Sequence, residues 1–340
     1  MHIYYHLSAY ISHRLSGLEY IDCLRRLGHT VHCCPEESEL AEVVVIHDDP
    51  LNFSSIFERF PRFRSLRTIA CCVWENEEFP QEYVEPLRLV REIWTPSYFS
   101  RQSMLPYFSD VSVLPHVVRR HRTSPEDLAF AEAALGASNN SFRFFSIVDS
   151  INPRKNLTGL LKAFFSLRAL LADKVVLVLK QYRATVECSA LPGVISIAGD
   201  LTQGRMAALH KLCHAYVSAH HAEGWGLGLS EAMAYGKPVI ATAYSGNMDY
   251  MDEHNSLPVP YSLAPVSAEM CLRIPLFRPG MRWAEIDPAA LVLSMRRAAE
   301  GRLPHGLAGR AAGITERFGP ENVSRILQNL LERRDSGFAT

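Results

Sequence analysis

The first 154 residues of this chain contain no lysine; Lys155 is the first, and before it arginine is the only strong base. Other absences exclude whole classes of function. Lys and Arg number 35 against 36 for Asp and Glu, a formal net charge of -1, so the chain lacks the basic excess that a broad nucleic-acid surface needs. No apolar run approaches the roughly 20 residues that cross a bilayer. The opening residues, MHIYYHLSAY, lack the basic leader and apolar stretch of a secretion signal. A cytoplasmic location is expected, and weak attachment at the inner face of a membrane is compatible with it. The eight cysteines, Cys23, Cys33, Cys34, Cys71, Cys72, Cys188, Cys213 and Cys271, form no C-x-x-C pair, and read as reduced, buried thiols rather than disulfides or metal ligands. The fourteen histidines form no H-E-x-x-H. Neighbours on a strand point to opposite faces, so His220-His221 does not read as a metal pair, and at least one of the two is structural. There is no internal repeat and no low-complexity tract.

What is present is ordinary globular composition, 48% hydrophobic and 21% charged over 340 residues, enough for about two domains. Short apolar runs alternate with helical patterns, which predicts βα units and parallel sheets. In the first half, HIYYHL (2–7), VHCC (31–34), VVVIH (43–47), RTIACCVW (67–74), REIWTPS (91–97) and VSVLPHVV (111–118) read as strands, and residues 18–27 as a helix. The polar stretch 119–141 is a boundary signal. Beyond it, 142–149, 175–180, 194–200, 215–220 and 238–242 read as strands, with helices over 156–171, 203–213 and from about Leu227 to Gly236. Asp287-Pro288 is a strong helix start. The expected fold class is α/β, two doubly wound domains in series: 1–120, a linker 121–141, then 142–319, with a terminal helix over 320–335. Such sheets bind ligands beyond the carboxyl ends of their strands, and two facing domains place the best pocket in a central cleft.

Three segments at strand ends carry the chemistry. AEGWGLGLSEAMAYGKP (222–238) sets flexible glycines and a tryptophan, expected at the surface, before a helix, with Glu223 and Glu231 spaced E-x7-E. Glycines let backbone N–H groups approach a ligand, and a helix N-terminus adds partial positive charge. Carboxylates there accept hydrogen bonds from sugar hydroxyls. SIVDSINPRKNLTGLLKAF (146–164) puts Arg154 and Lys155 at a strand–helix junction, a fork and a point charge suited to a diphosphate. ATAYSGNMDYM (241–251) adds a glycine turn after the next strand. Each alone is compatible with a solvated turn; their combination is not generic.

Together with WAEID (283–287), these segments resemble the retaining glycosyltransferases of family 4, which have the GT-B fold of two Rossmann-like domains facing a cleft. WENEEFP and EIWTPSYFS are similar to the acceptor-side half of bacterial mannosyl- and hexosyltransferases that build cell-surface polysaccharides. The resemblance implies that Arg154 and Lys155 bind the donor diphosphate and that Glu223 touches the transferred sugar. It places the donor against Gly224, Trp225, Gly226 and Leu227, with Glu231 on the ribose. Asp200 and Leu201 fall near the base, and Lys180, with Gly246 and Asn247 of the glycine turn, among the donor-binding residues. In the first domain, Ser16-Gly17 is implied to be a loop facing the phosphates, and Trp74, Glu75 and His116 to line the acceptor side, with Trp74 and Tyr107 available to stack on sugar rings. The terminal helix is implied to return to the first domain. Gly17 stands alone where many relatives have two glycines, and Trp225 stands where Phe is more frequent.

The implied activity is hexose transfer from a nucleotide sugar, GDP-mannose first and a UDP-hexose second, to a glycan or lipid-linked glycan, without cofactor or metal. The family is retaining, and no second carboxylate offers itself as a nucleophile, so the expected course is a front-face displacement with electrostatic stabilisation of the leaving diphosphate. The rival readings are a catalytically silent sugar-binding subunit of this fold, and an epimerase or phosphorylase.

Overall fold

The computed structural model describes residues 1–136, 140–183, 185–188 and 190–333. Positions 137–139 of the expected linker and 334–335 of the expected terminal helix lie outside the described residues. The chain divides into two compact units, 1–118 with 316–340, and 119–315. The stretch 121–141 thus falls within the second unit, where it carries a helix.

The first unit is built from β1 (His2–Leu7), α1 (Ile11–Arg26), β2 (Thr30–His32), β3 (Val43–His47), α2 (Phe53–Arg59), β4 (Arg67–Cys71), α3 (Gln81–Leu87), β5 (Glu92–Thr95), α4 (Tyr98–Met104) and β6 (Val111–Val113). Its six strands are all parallel, in the order β2-β1-β3-β4-β5-β6. The order reverses between β1 and β3, the point where a doubly wound sheet opens a crevice for a ligand. β3 is buried at every position, as a parallel strand covered on both faces must be.

The second unit runs α5 (Pro125–Leu135), β7 (Phe142–Val148), α6 (Leu157–Leu171), β8 (Val175–Gln181), β9 (Val194–Ile197), α7 (Gln203–Leu212), β10 (Ala215–Ser218), α8 (Leu227–Ala234), β11 (Val239–Thr242), β12 (Leu257–Val259), β13 (Tyr261–Pro265), α9 (Ala268–Arg273), β14 (Arg282–Ile286), α10 (Pro288–Ala299) and α11 (Leu307–Ala312). Its parallel sheet has the order β12-β11-β10-β7-β8-β9. Counted within the unit this is the Rossmann order, and the switch falls between β7 and β10. The helix α6 buries Leu160, Ala163, Phe164 and Leu167, one stripe at helical spacing, against β7 and β8. The leucine and phenylalanine side chains each contribute about 1.5–3 kcal/mol by leaving water, and the Ala163 methyl less than about 1. Asp287 caps α10, accepting from the N–H groups of Ala289 and Ala290. Helix α5 opens with a Ser124–Asp127 capping box and packs on α7, with the Arg205 guanidinium over the Phe130 ring. β13 and β14 form an antiparallel hairpin apart from the sheet.

The last helices among the described residues are α12 (Ile314–Phe318) and α13 (Pro320–Glu332). α13 lies within the first unit and sets Val323, Leu327, Leu330 and Leu331 against Tyr20, Ile21 and Leu24 of α1. Arg67 fixes its far end, donating to the carbonyls of Leu331 at 2.6 Å and Leu330 at 2.9 Å. A cation at a helix C-terminus offsets the exposed carbonyl dipoles there. No helix among the described residues is long and apolar enough to cross a membrane.

Candidate active site

Two loops leave the carboxyl ends of β7 and β10, on either side of the switch point of the second unit. The first turns through Pro153–Lys155, its start fixed by Asn152, whose Oδ1 accepts from the Arg154 N–H at 3.1 Å. Asn156 takes left-handed backbone (φ 47°). Its side chain accepts from the Gly159 N–H, starting α6, and donates to the Ala219 carbonyl at 3.0 Å. The loops are therefore strapped together before any ligand is considered. The second loop runs from Ala219 to Gly226.

The charged groups meet here. Arg154 Nη1 donates to the Ala222 carbonyl at 2.6 Å and to Glu223 Oε2 at 3.1 Å, and Lys155 Nζ donates to Glu223 Oε1 at 2.5 Å. Glu223 is 6% exposed. Burial alone would push its carboxyl up, but Lys155 and then Arg154 outweigh it, and the group sits at about 2. One carboxylate is shared by two cations, which leaves one positive charge in excess among these three side chains.

Glu223 is also held through its backbone. Its N–H donates to Ser245 Oγ at 2.7 Å, and its carbonyl accepts from the Gly246 N–H at 2.8 Å. Position 246 admits no side chain: a Cβ there would stand 2.1 Å from the Gly224 carbonyl oxygen. Ser245 keeps a positive φ of 77°, a strained backbone of the kind that persists where surroundings over-determine it. Asn247 is fully buried and organises the next layer: its Nδ2 donates to the Thr242 carbonyl at 3.0 Å, so its Oδ1 faces His220 Nε2 at 3.1 Å. His220 Nδ1 lies 2.9 Å from Ser218 Oγ, and burial lowers this imidazole to about 4. It is neutral, with the proton on Nε2.

Helix α8 begins at Leu227 with Gly226, φ 90°, as its N-cap. Glycine has no side chain to cap the first N–H groups; those of Leu229 and Ser230 bond to the Gly226 carbonyl, and those of Leu227 and Gly228 lead the helix, where an anion is favoured. Tyr250 braces this corner, its hydroxyl near the carbonyls of Trp225 at 2.8 Å and Gly226 at 3.0 Å. Trp225 is not at the surface as expected: it is 2% exposed, donates to Ser230 Oγ at 3.1 Å and packs on the Tyr250 ring. Glu231 is part-exposed, one turn into α8, with Oε2 3.4 Å from His210 Nε2. Lys180 is buried at the end of β8 and donates to the Gln181 carbonyl at 2.8 Å. Burial lowers its ammonium while Asp200, exposed after β9 and next to Leu201, pulls the other way.

The first-unit residues have different surroundings. Ser16 and Gly17 lie inside α1 and not in a loop; a Cβ on Gly17 would stand 2.3 Å from Leu7 Cδ1, so the glycine lets α1 close on β1. Trp74 is 2% exposed, donates to the Glu78 carbonyl at 2.7 Å and packs edge-on against Phe79 and Tyr83. It is core and offers no open face for a sugar. His116 is buried, 2.8 Å from the Tyr20 hydroxyl, and burial lowers its imidazole to about 3. Glu75 is half-buried, and its charge acts on His13. Tyr107 is exposed, and its hydroxyl accepts from Gln81 at 2.6 Å. Among the described residues, no group of three or more His, Cys, Asp or Glu side chains is placed to hold a metal ion.

Several residues of this site were not singled out in the sequence. Ser245 and Tyr250 sit in the quoted glycine-turn segment, but nothing local marks them as supports of the preceding loop. Asp149, fully buried at the end of β7 and paired with Arg183, is another. Its signal is an acidic residue ending an apolar strand.

Residues 134–262 match the family of glycosyl transferases group 1. No curated protein matches the chain in sequence. Among solved structures, WaaG, a glycosyltransferase involved in lipopolysaccharide biosynthesis, superposes with a TM-score of 0.66 at 10% identity, over 98% of this chain and 100% of that one. Sucrose-phosphate synthase from Thermosynechococcus elongatus gives 0.62 at 13% identity, over 98% of each chain. The pneumococcal O-GlcNAc transferase GtfA, in complex with UDP and GlcNAc, gives 0.59 at 13% identity; 85% of this chain spans 56% of that one. This chain thus spans a little over half the length of that larger transferase. At such identities the structural likeness concerns the fold, and the family match concerns the second unit. Residues 134–262 therefore match the glycosyl transferases group 1 family, and the two units have the GT-B fold of two Rossmann-like sheets.

Proposed function

We propose that the chain is a retaining hexosyltransferase that takes a hexose from a nucleotide sugar, GDP-mannose in the first instance, and passes it to a hydroxyl of a glycan or lipid-linked glycan in surface polysaccharide or lipopolysaccharide synthesis. One observation carries this reading: Glu223, Arg154 and Lys155 meet beside the uncapped start of α8, at the switch point of a Rossmann sheet. That is a site for a bound anion with a hydroxyl-bearing group next to it.

Lys155 and the first N–H groups of α8 take the donor diphosphate. Arg154, its Nη1 already committed to the Ala222 carbonyl and Glu223, adds field and fixes the loop. Glu223 gives up part of its hold on Lys155 and accepts from hydroxyls of the hexose. Glu231 takes the ribose, and Lys180, Asp200 and Leu201 flank the base. In the transfer step the acceptor oxygen bonds to the anomeric carbon as the bond to the diphosphate breaks. The acceptor proton passes to the departing phosphate oxygen on the same face. The protein's contribution is to hold positive charge where negative charge grows; one such donor is worth about 10²–10³ in kcat. Trp74, being core, is not available to stack on an acceptor sugar.

UDP-hexose is the second donor reading, and the UDP held by the pneumococcal transferase favours it. Calorimetric titration with GDP and UDP, without added metal, tests both. Tight binding of one, lost in Lys155→Ala, supports the donor site and chooses the base. Binding of neither sinks the donor-site reading.

A further inference from the structure

The β13–β14 hairpin is no part of the six-stranded sheet, yet His221 fastens it to the site, and the Tyr261 ring packs on Tyr244 beside the glycine turn. The His221 ring lies flat on the Trp283 indole, centroids 4.1 Å apart and planes 11° from parallel. His221 Nδ1 donates to the Ala284 carbonyl at 2.7 Å, and its own carbonyl accepts from the Ala284 N–H at 3.0 Å. Its backbone N–H donates to the Arg154 carbonyl at 2.8 Å. The link to that loop is closed a second time by the Arg154 side chain on Ala222. Between the strands of the hairpin, α9 packs on the Pro153–Lys155 turn. One residue therefore joins the hairpin, the loop after β7 and the loop after β10, two positions before Glu223.

We propose that His221, clamped on Trp283, is a positioning residue for the donor site: the hairpin holds the two glycine-rich and turn segments in the single arrangement that brings Glu223 onto Lys155 and Arg154. The inference rests on the donor-site reading above. Its physical basis is that the first loop holds only a single 3-10 turn, Pro153–Lys155, and that Gly224 and Gly226 give the second loop wide backbone freedom. The ring–ring contact adds a flat, directional restraint. Burial keeps the His221 imidazole on its neutral side, and the Glu285 carboxylate, 3.5 Å from Nδ1 and half-exposed, faces it from the hairpin. With Nδ1–H pointed at Ala284, the ring cannot swing toward the ligand side without losing both the bond and the stack. His221 itself need not touch substrate.

Steady-state transfer and GDP and UDP titration on Trp283→Phe, Trp283→Leu and His221→Ala, each compared with the unsubstituted chain, test this. Leu fills space without a flat face; Phe keeps the face. Trp283→Leu and His221→Ala are expected to lower kcat by about 10- to 100-fold, the loss that a displacement near 1 Å produces, with donor KM within about threefold. Trp283→Phe is expected to recover most of that loss. Equal kcat in the Leu and Phe variants, or kcat unchanged in both, would overturn the proposal, because simple packing then suffices. Amide exchange serves where a variant is too unstable for kinetics, or where the unsubstituted chain transfers from no nucleotide sugar. The clamp predicts faster exchange at 221–228 and 152–156 in Trp283→Leu than in Trp283→Phe, with the strand β8 unmoved. Unchanged exchange in those segments sinks the clamp. Failure of the unsubstituted chain to bind either diphosphate sinks the donor site instead.

Discussion

Lys155 Nζ sits 2.5 Å from one oxygen of Glu223 while Arg154 Nη1 sits 3.1 Å from the other. One carboxylate thus neutralises one of two cations, and the three side chains form a charge cluster with one positive charge in excess.

Removing the shared carboxylate strands two buried or nearly buried cations. Glu223→Ala is expected to destabilise the second unit by about 3–5 kcal/mol, the range for breaking a buried pair by deleting one partner. Adding Lys155→Ala should return part of that loss, since one unpaired charge disappears with it. Urea unfolding of the two single variants and the double variant checks this. Strict additivity would show that the pair does not interact.

Acid should weaken each unit through one carboxylate. Glu223 sits at about 2 in the fold because Lys155 and Arg154 outweigh burial. Asp48 also sits at about 2, hydrogen bonds from His6 and the Asp49 N–H among others outweighing burial. In the unfolded chain both return to about 4. Between those values the unfolded state binds more protons, so stability rises with pH there. The contribution is complete above about pH 4.3 and fades as pH falls toward 2. Glu223→Gln should flatten this slope for the second unit and Asp48→Asn for the first, read as urea midpoints between about pH 2.5 and 5. A variant that keeps the full slope would contradict the assignment.

Lys155→Ala tests the chemistry rather than the fold. The side chain is 16% exposed at the ligand end of the sheet, so it can reach an incoming phosphate. Transfer should fall by about 10²–10³ in kcat, and diphosphate affinity should fall with it. Lys155→Arg should restore charge but only part of the rate, because a planar fork does not reproduce a compact ammonium. Parallel kinetics and calorimetry decide; full activity in Lys155→Ala removes this residue from the site.

The charged triad was legible because its signals are local: a cation pair after a strand, glycines before a helix, and carboxylates at fixed spacing. What depended on distant partners was not. Trp225 looked like a surface residue because Tyr250 and Ser230, which cover it, lie outside its turn. His220 extended an apolar run, yet β10 stops at Ser218 and the His220 ring turns inward to Ser218 and Asn247. Helix α1 starts at Ile11, seven residues before the expected Leu18, since nothing from Ile11 to Ser16 breaks a helix and Gly17 is needed small against Leu7. The hairpin escaped notice because α9 separates its two five-residue strands, so no turn sequence marks it.

Two glycine substitutions should separate close approach from mere flexibility. At Gly246 an added Cβ would stand 2.1 Å from the Gly224 carbonyl oxygen and 2.9 Å from that of Glu223. Both obstacles are backbone, so relief requires moving the loop that carries Glu223. Gly246→Ala is expected to cost about 1–3 kcal/mol or more in stability, and to lose diphosphate binding even where the chain stays folded, because the Gly246 N–H to Glu223 bond goes with the shift. Gly309 lies within α11 with nothing near its missing Cβ and no positive φ. There alanine should stabilise by about 0.4–1 kcal/mol, by restricting the unfolded chain and favouring the helix. Thermal unfolding and calorimetry on the two variants read both effects. A Gly246→Ala protein that binds diphosphate as tightly as the original would mean that the loop around Glu223 is slack, and that the contact between residues 223 and 246 does not set the geometry of the site.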